Sequence, residues 1–177
     1  QALWDALFGG SWPQKSYQAL SPEKISKAIH KAGIVGLGGA AFPTHVKITP
    51  NDQKPIEILM VNGCECEPYL TTDYRVMVEA PEAVVAGTLL AARAVGAKKA
   101  YIGIEDNKME AVASLRQAAS GAGIHIAVLK TKYPQGSEKH LIKAALNREV
   151  PLGGLPSDIG VAMTNVATAT SLARAVM

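Results

Sequence analysis

Between Ile56 and Leu146, short apolar runs alternate with segments of helical pattern, and that order leaves few folds open. Residues 56–62, Ile-Glu-Ile-Leu-Met-Val-Asn, stop at Gly63 and read as a buried strand. Lys99 to Glu105 and Ile124 to Leu129 read as a second and a third. Between them, Pro81 to Gly96 has proline near its start and glycine after its end, as helices do. Asn107 opens a second helix to about Ala119, and Ser137 to Leu146 reads as another. The order βαβαβα requires crossover connections, hence a mainly parallel sheet with helices on both faces. Residues 150–160, with two prolines and three glycines, read as a long loop, and a final helix begins near Asn165. The chain is 48% hydrophobic but only 5% aromatic, so its core must be built from Ala, Val, Ile and Leu. Buried parallel strands have that composition. The expected class is α/β, a Rossmann-like three-layer domain, and 177 residues suit one such unit.

The most informative local motif precedes the first strand. Residues 36–47 read Gly-Leu-Gly-Gly-Ala-Ala-Phe-Pro-Thr-His-Val-Lys. The small residues leave backbone N–H groups uncovered, so an anionic or flat ligand can approach the main chain closely. Phe42 offers a ring for stacking, and Lys47 a charge for a phosphate or a flavin edge. The spacing Gly36-x-Gly38-x-x-Ala41 formally satisfies the dinucleotide fingerprint, but that fingerprint must follow a strand and open a helix. Here the loop follows a helix, from the Ser21 cap and Pro22 through Ile25, Ala28, Ile29 and Ala32 to Gly33. Pro43 restrains Phe42 from the helical region. This is a nucleotide loop of another kind, placed after an N-terminal helix.

In parallel sheets ligands sit beyond the carboxyl ends of the strands. The segments there are Asn62 to Pro68, Glu105 to Asn107, and Thr131 to Glu138, and all carry functional groups. Glu65 and Glu67 point the same way on an extended backbone and can accept from sugar hydroxyls. Tyr133 to Glu138 enters a helix whose N-terminus favours a phosphate or carboxylate, with Ser137 as the expected cap. Thr164 to Thr168 leads into the last helix, with polar groups suited to capping it. Asp73 and Arg75 are spaced for a local ion pair.

Other classes are disfavoured. The net charge is +3 with no dense Lys/Arg tract, which argues against nucleic acid. No apolar run reaches the roughly 18 residues that span a bilayer, and no signal-peptide pattern is present. Cys64 and Cys66 are too few ligands for zinc or an iron–sulfur cluster and read as small buried thiols of a reducing compartment. The four histidines are scattered, so no metal site is expected. The chain begins at Gln1 and reads as a piece of a longer protein.

Several long motifs occur together and in order: Gly33 to Lys47, Asn62 to Leu70 with Asp73 and Arg75, Tyr101 to Asn107, Lys132 to Glu138, Arg148 to Pro151 with Gly153 to Pro156, and Asn165-Val with Thr168. On these the chain resembles the FMN- and NADH-binding domain shared by the 51-kDa subunit of respiratory complex I and the RnfC subunit of Rnf electron-transport complexes, most of all the RnfC group. The resemblance runs from about residue 21 to the end, so residues 1–20 are expected to be an N-terminal extension and 21–177 the domain. It implies that Gly36, Gly38, Gly39 and Ala40 wrap the flavin phosphate and the dinucleotide. It implies that Phe42 stacks on the nicotinamide nucleotide and that Lys47 contacts the flavin. Asn62 and Glu65 surround the flavin, and Glu67 lies on the nicotinamide side. Tyr133, Gly136 and Glu138 pack against the flavin, while Asn165 and Thr168 hold its phosphate end.

The resemblance further implies FMN and NAD(H) as cofactors, with hydride exchange and electron passage to iron–sulfur clusters outside this fragment. It implies partner subunits in a membrane-associated ferredoxin/NAD oxidoreductase complex, attached peripherally on the cytoplasmic side of the inner membrane. No side-chain acid or base is required for hydride transfer, so no catalytic residue is expected. The chain departs from the family at Ala41, where glycine is usual, and from the complex I version at Leu37, Cys64 and Ser137. Leu37, Ala41 and Cys64 favour an alternative, a non-catalytic docking or scaffold domain with a weak or empty flavin site.

Overall fold

The computed structural model describes residues 19–49 and 53–177. The expected N-terminal extension therefore lies, for residues 1–18, outside the described residues. In chain order the elements are α1 (Pro22–Lys31), α2 (Thr44–Lys47), β1 (Ile58–Asn62), α3 (Thr72–Glu79), α4 (Pro81–Val95), β2 (Lys99–Glu105), α5 (Met109–Ala118), β3 (Ile124–Leu129), α6 (Glu138–Leu146), a 3-10 turn (Pro156–Ile159), β4 (Val161–Asn165) and α7 (Val166–Val176). All strand pairs are parallel, in the order β3-β2-β1-β4.

The expected α/β fold is present, with one strand more than the sequence pattern suggests. Val161 to Asn165 follows Gly160 directly and runs straight into α7, so no turn signal separates strand from helix. Its identity depends on pairing with β1, which sequence periodicity cannot register. α3 is likewise added. It is two turns long with mixed polarity, too short to show a helical period.

The local signals explain most boundaries. Ser21 accepts from Lys24 N at 3.3 Å to cap α1, and Pro22 occupies its first position. Gly33 follows α1 at φ +66, and Gly96 ends α4 at φ +72, conformations that favour glycine. Two expected caps fail. Asn107 sits one residue too early, so Lys108 takes the N-cap position of α5 without a side-chain bond. Ser137 occupies the N-cap of α6, but its hydroxyl pairs with His140 Nδ1 at 3.1 Å.

The sheet is covered unequally. Leu59, Val61, Ala100, Ile102, Ile104 and Ala162 point to a large core shared with α1, α3, α4, α5 and α7. The alternate residues Ile58, Met60, Val161 and Met163 form a smaller cluster with Leu141 and Ile142 of α6, with Ala145, Leu146, Val150 and Ile159 packed against it. On the thick side α4 and α7 are pressed together at Gly87, where a Cβ would collide with the backbone of Ala169. The buried hydroxyls of Thr88 and Thr170 bond the carbonyls of Val84 and Val166 one turn earlier, which removes the cost of burying them.

Candidate functional site

Strand order sets the position of the main cleft. β1, β2 and β3 progress in one direction, and β4 then returns to the other side of β1. Helical connections diverge at such a switch point, opening a crevice beyond the strand ends. Asn62 and Asn165, the last residues of β1 and β4, are register partners there. A cleft of about 230 Å³ lies at this point, and both asparagines line it.

One wall is the glycine loop. Gly36 N donates to Phe42 O at 2.9 Å, and Val35 bridges Pro43, so the loop is closed at its neck. Thr44 N donates to Ile34 O at 3.0 Å. The loop rests on the first turn of α7 at two points. Leu37 N donates to Thr168 Oγ1 at 2.9 Å, and a Cβ on Gly38 would lie 3.4 Å from Asn165 Cβ. Thr168 therefore accepts with its oxygen and keeps a hydroxyl proton to donate. Gly39 takes φ +119, and Ala41 takes φ +49. An L-residue in the left-handed region is strained, which is why glycine suits Ala41's position better.

The opposite wall is the turn into α6. Asn62 Nδ2 donates to Gly136 O at 2.8 Å, and its Oδ1 accepts from Cys64 N at 2.9 Å. A Cβ on Gly136 would come within 2.6 Å of Cys64 O, so only glycine allows this junction. α6 has no side-chain cap, leaving its first-turn N–H groups open beside the cleft. Lys47 Nζ reaches across to Glu138 Oε1 at 2.7 Å. Phe42 is 49% exposed, and Thr44 Oγ1 is buried with no partner. Gly36, Gly38, Ala40, Phe42, Lys47, Asn62, Gly136, Glu138, Asn165 and Thr168 all line this cleft.

Glu65, Glu67 and Tyr133 instead line a second, neighbouring cleft of about 410 Å³ over the ends of β1, β2 and β3. Gly39 lines neither. The turns after the first three strands do converge here. Glu65 is engaged with protein, accepting from Asp73 N at 2.9 Å and Tyr74 N at 3.3 Å. It thereby caps α3 from outside the helix, while Glu67 is exposed. At the floor Lys108 Nζ lies 3.1 Å from Glu105 Oε2 and 3.1 Å from the Glu65 carbonyl. Glu105 is 1% exposed, and its Oε1 has no partner.

Burial moves two ionisable groups here. Burial pushes the Cys64 thiol up to about 12, assisted by the Glu105 charge, so Cys64 is a protonated thiol near neutrality. Both cysteines are free, Cys64 buried and Cys66 half-buried. Burial also raises Asp73 to about 6 against the Asn165 hydrogen bond, which lowers it. The expected Asp73–Arg75 pair does not form. Arg75 pairs with Glu79 one turn on, and Asp73 Oδ2 accepts from Asn165 Nδ2 at 2.6 Å. Thr44, Met163 and Thr164 also line the main cleft. Met163 escaped sequence reasoning because its strand did, Thr164 was reached only as part of the approach to the last helix, and Thr44, next to Pro43 in the glycine motif, could have been found. His30 and His45 lie far apart in sequence, yet their ring centroids are 4.2 Å apart.

Comparison with known proteins identifies the family and the fold. A family model described as the Nuo51 FMN-binding domain matches residues 29–174. The chain is similar to the C component of the proton-translocating ferredoxin:NAD(+) oxidoreductase complex of Clostridium ljungdahlii, 45% identical over 162 residues, covering 92% of this chain and 35% of that protein. It is also 45% identical over 166 residues to the C component of the Na(+)-translocating ferredoxin:NAD(+) oxidoreductase complex of Acetobacterium woodii, covering 93% and 38%. The C component of the ion-translocating oxidoreductase complex of Vibrio cholerae matches at 45% over 165 residues, covering 93% and 21%. The chain thus spans between 21% and 38% of these relatives. Among solved structures, an NAD+-reducing NiFe-hydrogenase in its H2-reduced state superposes with a TM-score of 0.75 at 26% identity, covering 99% of this chain and 34% of that one.

Proposed function

The chain belongs to the Nuo51 FMN-binding domain family, and from that premise we propose that residues 21–177 form the FMN- and NAD(H)-binding domain of an RnfC-type subunit. In this reading it exchanges a hydride with NAD(H) and passes electrons to or from iron–sulfur clusters held elsewhere in the parent protein. The parent sits at the cytoplasmic face of the inner membrane through its partner subunits. Among the described residues no helix is long and apolar enough to cross a membrane.

The observation that carries the proposal is the crevice at the β1/β4 switch point, with a bare glycine loop on one wall and an uncapped helix start on the other. The residues present fit FMN. The buried Thr44 hydroxyl lacks a partner, and the bare main chain of Gly36 and Gly38 lines the cleft beside it. FMN, when bound, supplies hydride exchange at N5 and one-electron exchange with clusters. The chain supplies position. The main chain at Gly38 and Ala40 offers N–H groups to phosphate, whereas the Gly36 N–H is held by Phe42 O and Gly39 lies outside the cleft lining. Thr168 donates its free hydroxyl proton, and the Lys47 ammonium leaves Glu138 for the ligand. Phe42 presents its half-exposed ring to the dinucleotide. Asn62, Glu65 and Asn165 act through the backbone they hold, since their side chains are engaged with protein. Glu67 and Tyr133 face the second cleft and serve the nicotinamide side and the flavin edge.

The test is an FMN titration of the full-length protein followed by flavin fluorescence, then anaerobic NADH. Saturable binding and bleaching near roughly 450 nm, where oxidised flavin absorbs, are expected. Lys47→Ala should weaken FMN binding about tenfold, as loss of one charge-assisted contact does, with the melting temperature unchanged. The Lys47–Glu138 ion pair spanning the cleft favours the alternative reading, a docking domain with an empty site. Failure of the full-length protein to retain FMN decides for that alternative.

A further inference from the structure

Asp73 lines neither cleft, yet it ends a chain of contacts that leads into the main one. Asn165 Oδ1 accepts from Ala167 N at 2.8 Å and Thr168 N at 3.2 Å, which caps α7. A carboxamide has one accepting end and one donating end. With the oxygen on the helix, the NH2 must point away, and Asp73 Oδ2 meets it at 2.6 Å. A flipped amide would set NH2 against two N–H donors and its oxygen against a carboxylate. The α7 amides on one side and the Asp73 acceptor on α3 on the other therefore hold the Asn165 amide in a single orientation.

The consequence reaches the glycine loop. The turn that Asn165 caps presents Thr168, whose oxygen holds Leu37 N, and Gly38 rests on Asn165 Cβ. We propose that Asp73 is a positioning residue of the cofactor cleft, orienting the Asn165 amide and, through it, the seat of the glycine loop on α7. This rests on the FMN reading above. Its physical basis is acceptance of a hydrogen bond, not negative charge. The charges around Asp73 are of both signs, Glu65 from the turn after β1 and Lys108 at the start of α5. On its own helix Arg75 is engaged with Glu79. Holding a half-buried carboxylate beside Glu65 costs stability, so its place is not explained by stability alone.

The two variants that separate these ideas are Asp73→Asn, which keeps an accepting oxygen, and Asp73→Ala, which removes it. FMN affinity is measured by fluorescence titration on the full-length protein, and amide hydrogen exchange of Ala167 and Thr168 without ligand. Asp73→Asn should bind FMN within about twofold of the parent. Asp73→Ala should bind roughly tenfold more weakly, in line with an unpaired buried donor. Its Ala167 and Thr168 amides should exchange faster while its melting temperature at pH 7 does not fall. Parent-like binding and exchange in Asp73→Ala overturn the proposal, as does an equal loss in both variants. If the parent itself binds no FMN, the cofactor reading fails, and the exchange of Ala167 and Thr168 alone decides the role of Asp73.

Discussion

The two faces of the sheet do different work. On one, five helices bury a continuous aliphatic core, and α4 meets α7 so closely at Gly87 that a single methyl would strike main chain. On the other, α6 stands alone over a small cluster, and Gly103 lies under the flexible end of Leu141, 2.6 Å from where a Cβ would sit. The start of α6 is also a wall of the cleft, through Gly136 and Glu138. The thick face carries most of the core and reaches the cleft through the first turn of α7, at Asn165 and Thr168, whereas on the thin face packing and binding share the one helix α6.

Substitutions can break or sharpen this contrast. Gly87→Ala should have the largest effect, about 3 kcal/mol or more, because backbone cannot yield as a side chain does. Chemical denaturation should show the whole domain destabilised. Asp73→Asn comes next and acts on pH dependence. The folded-state carboxyl is raised from 3.8 to about 6, so the folded protein holds its proton more tightly than the unfolded chain. That contribution is full below the unfolded value and is lost as pH rises through about 6. Urea titrations should therefore find the parent losing stability between pH 4 and pH 6 relative to the variant (about the interval between the two values). At pH 7 the variant should be the more stable, by on the order of 2 kcal/mol. Gly103→Ala should cost about 1 kcal/mol, since Leu141 can move aside, but it displaces α6 and should weaken FMN binding as well. A loss of stability without loss of affinity there would dissolve the contrast between the faces. Ala41→Gly should have the smallest effect, a gain of about 1 kcal/mol from relieving a positive φ, read as a small rise in melting temperature.

Much of the fold was legible because its signals are local. Ser21, Pro22 and Gly33 mark α1, and the aliphatic runs mark β1 to β3 without reference to anything distant. β4 was not legible, since Val161 to Asn165 becomes a strand by pairing with a segment about a hundred residues earlier (too long a separation for periodicity to report). The site divides similarly. The residue types in the glycine loop announce a bare backbone, and the resemblance pointed to residues of which most line one cleft. What Asn62, Glu65, Asn165 and Thr168 do with their side chains depends on the β1/β4 register and on α3. The same dependence hid Asp73, whose neighbour in sequence, Arg75, suggested a pairing that the helix does not make.

The register partnership of Asn62 and Asn165 bears on how the domain is made. During synthesis β1, β2 and β3 emerge first and can assemble their share of the sheet, yet they enclose no crevice at the switch point until Val161 to Asn165 is delivered to the free edge of β1. A ligand that bridges the two strand ends thus joins the earliest and the latest strands among the described residues. Its binding is a report that the chain has been completed through β4.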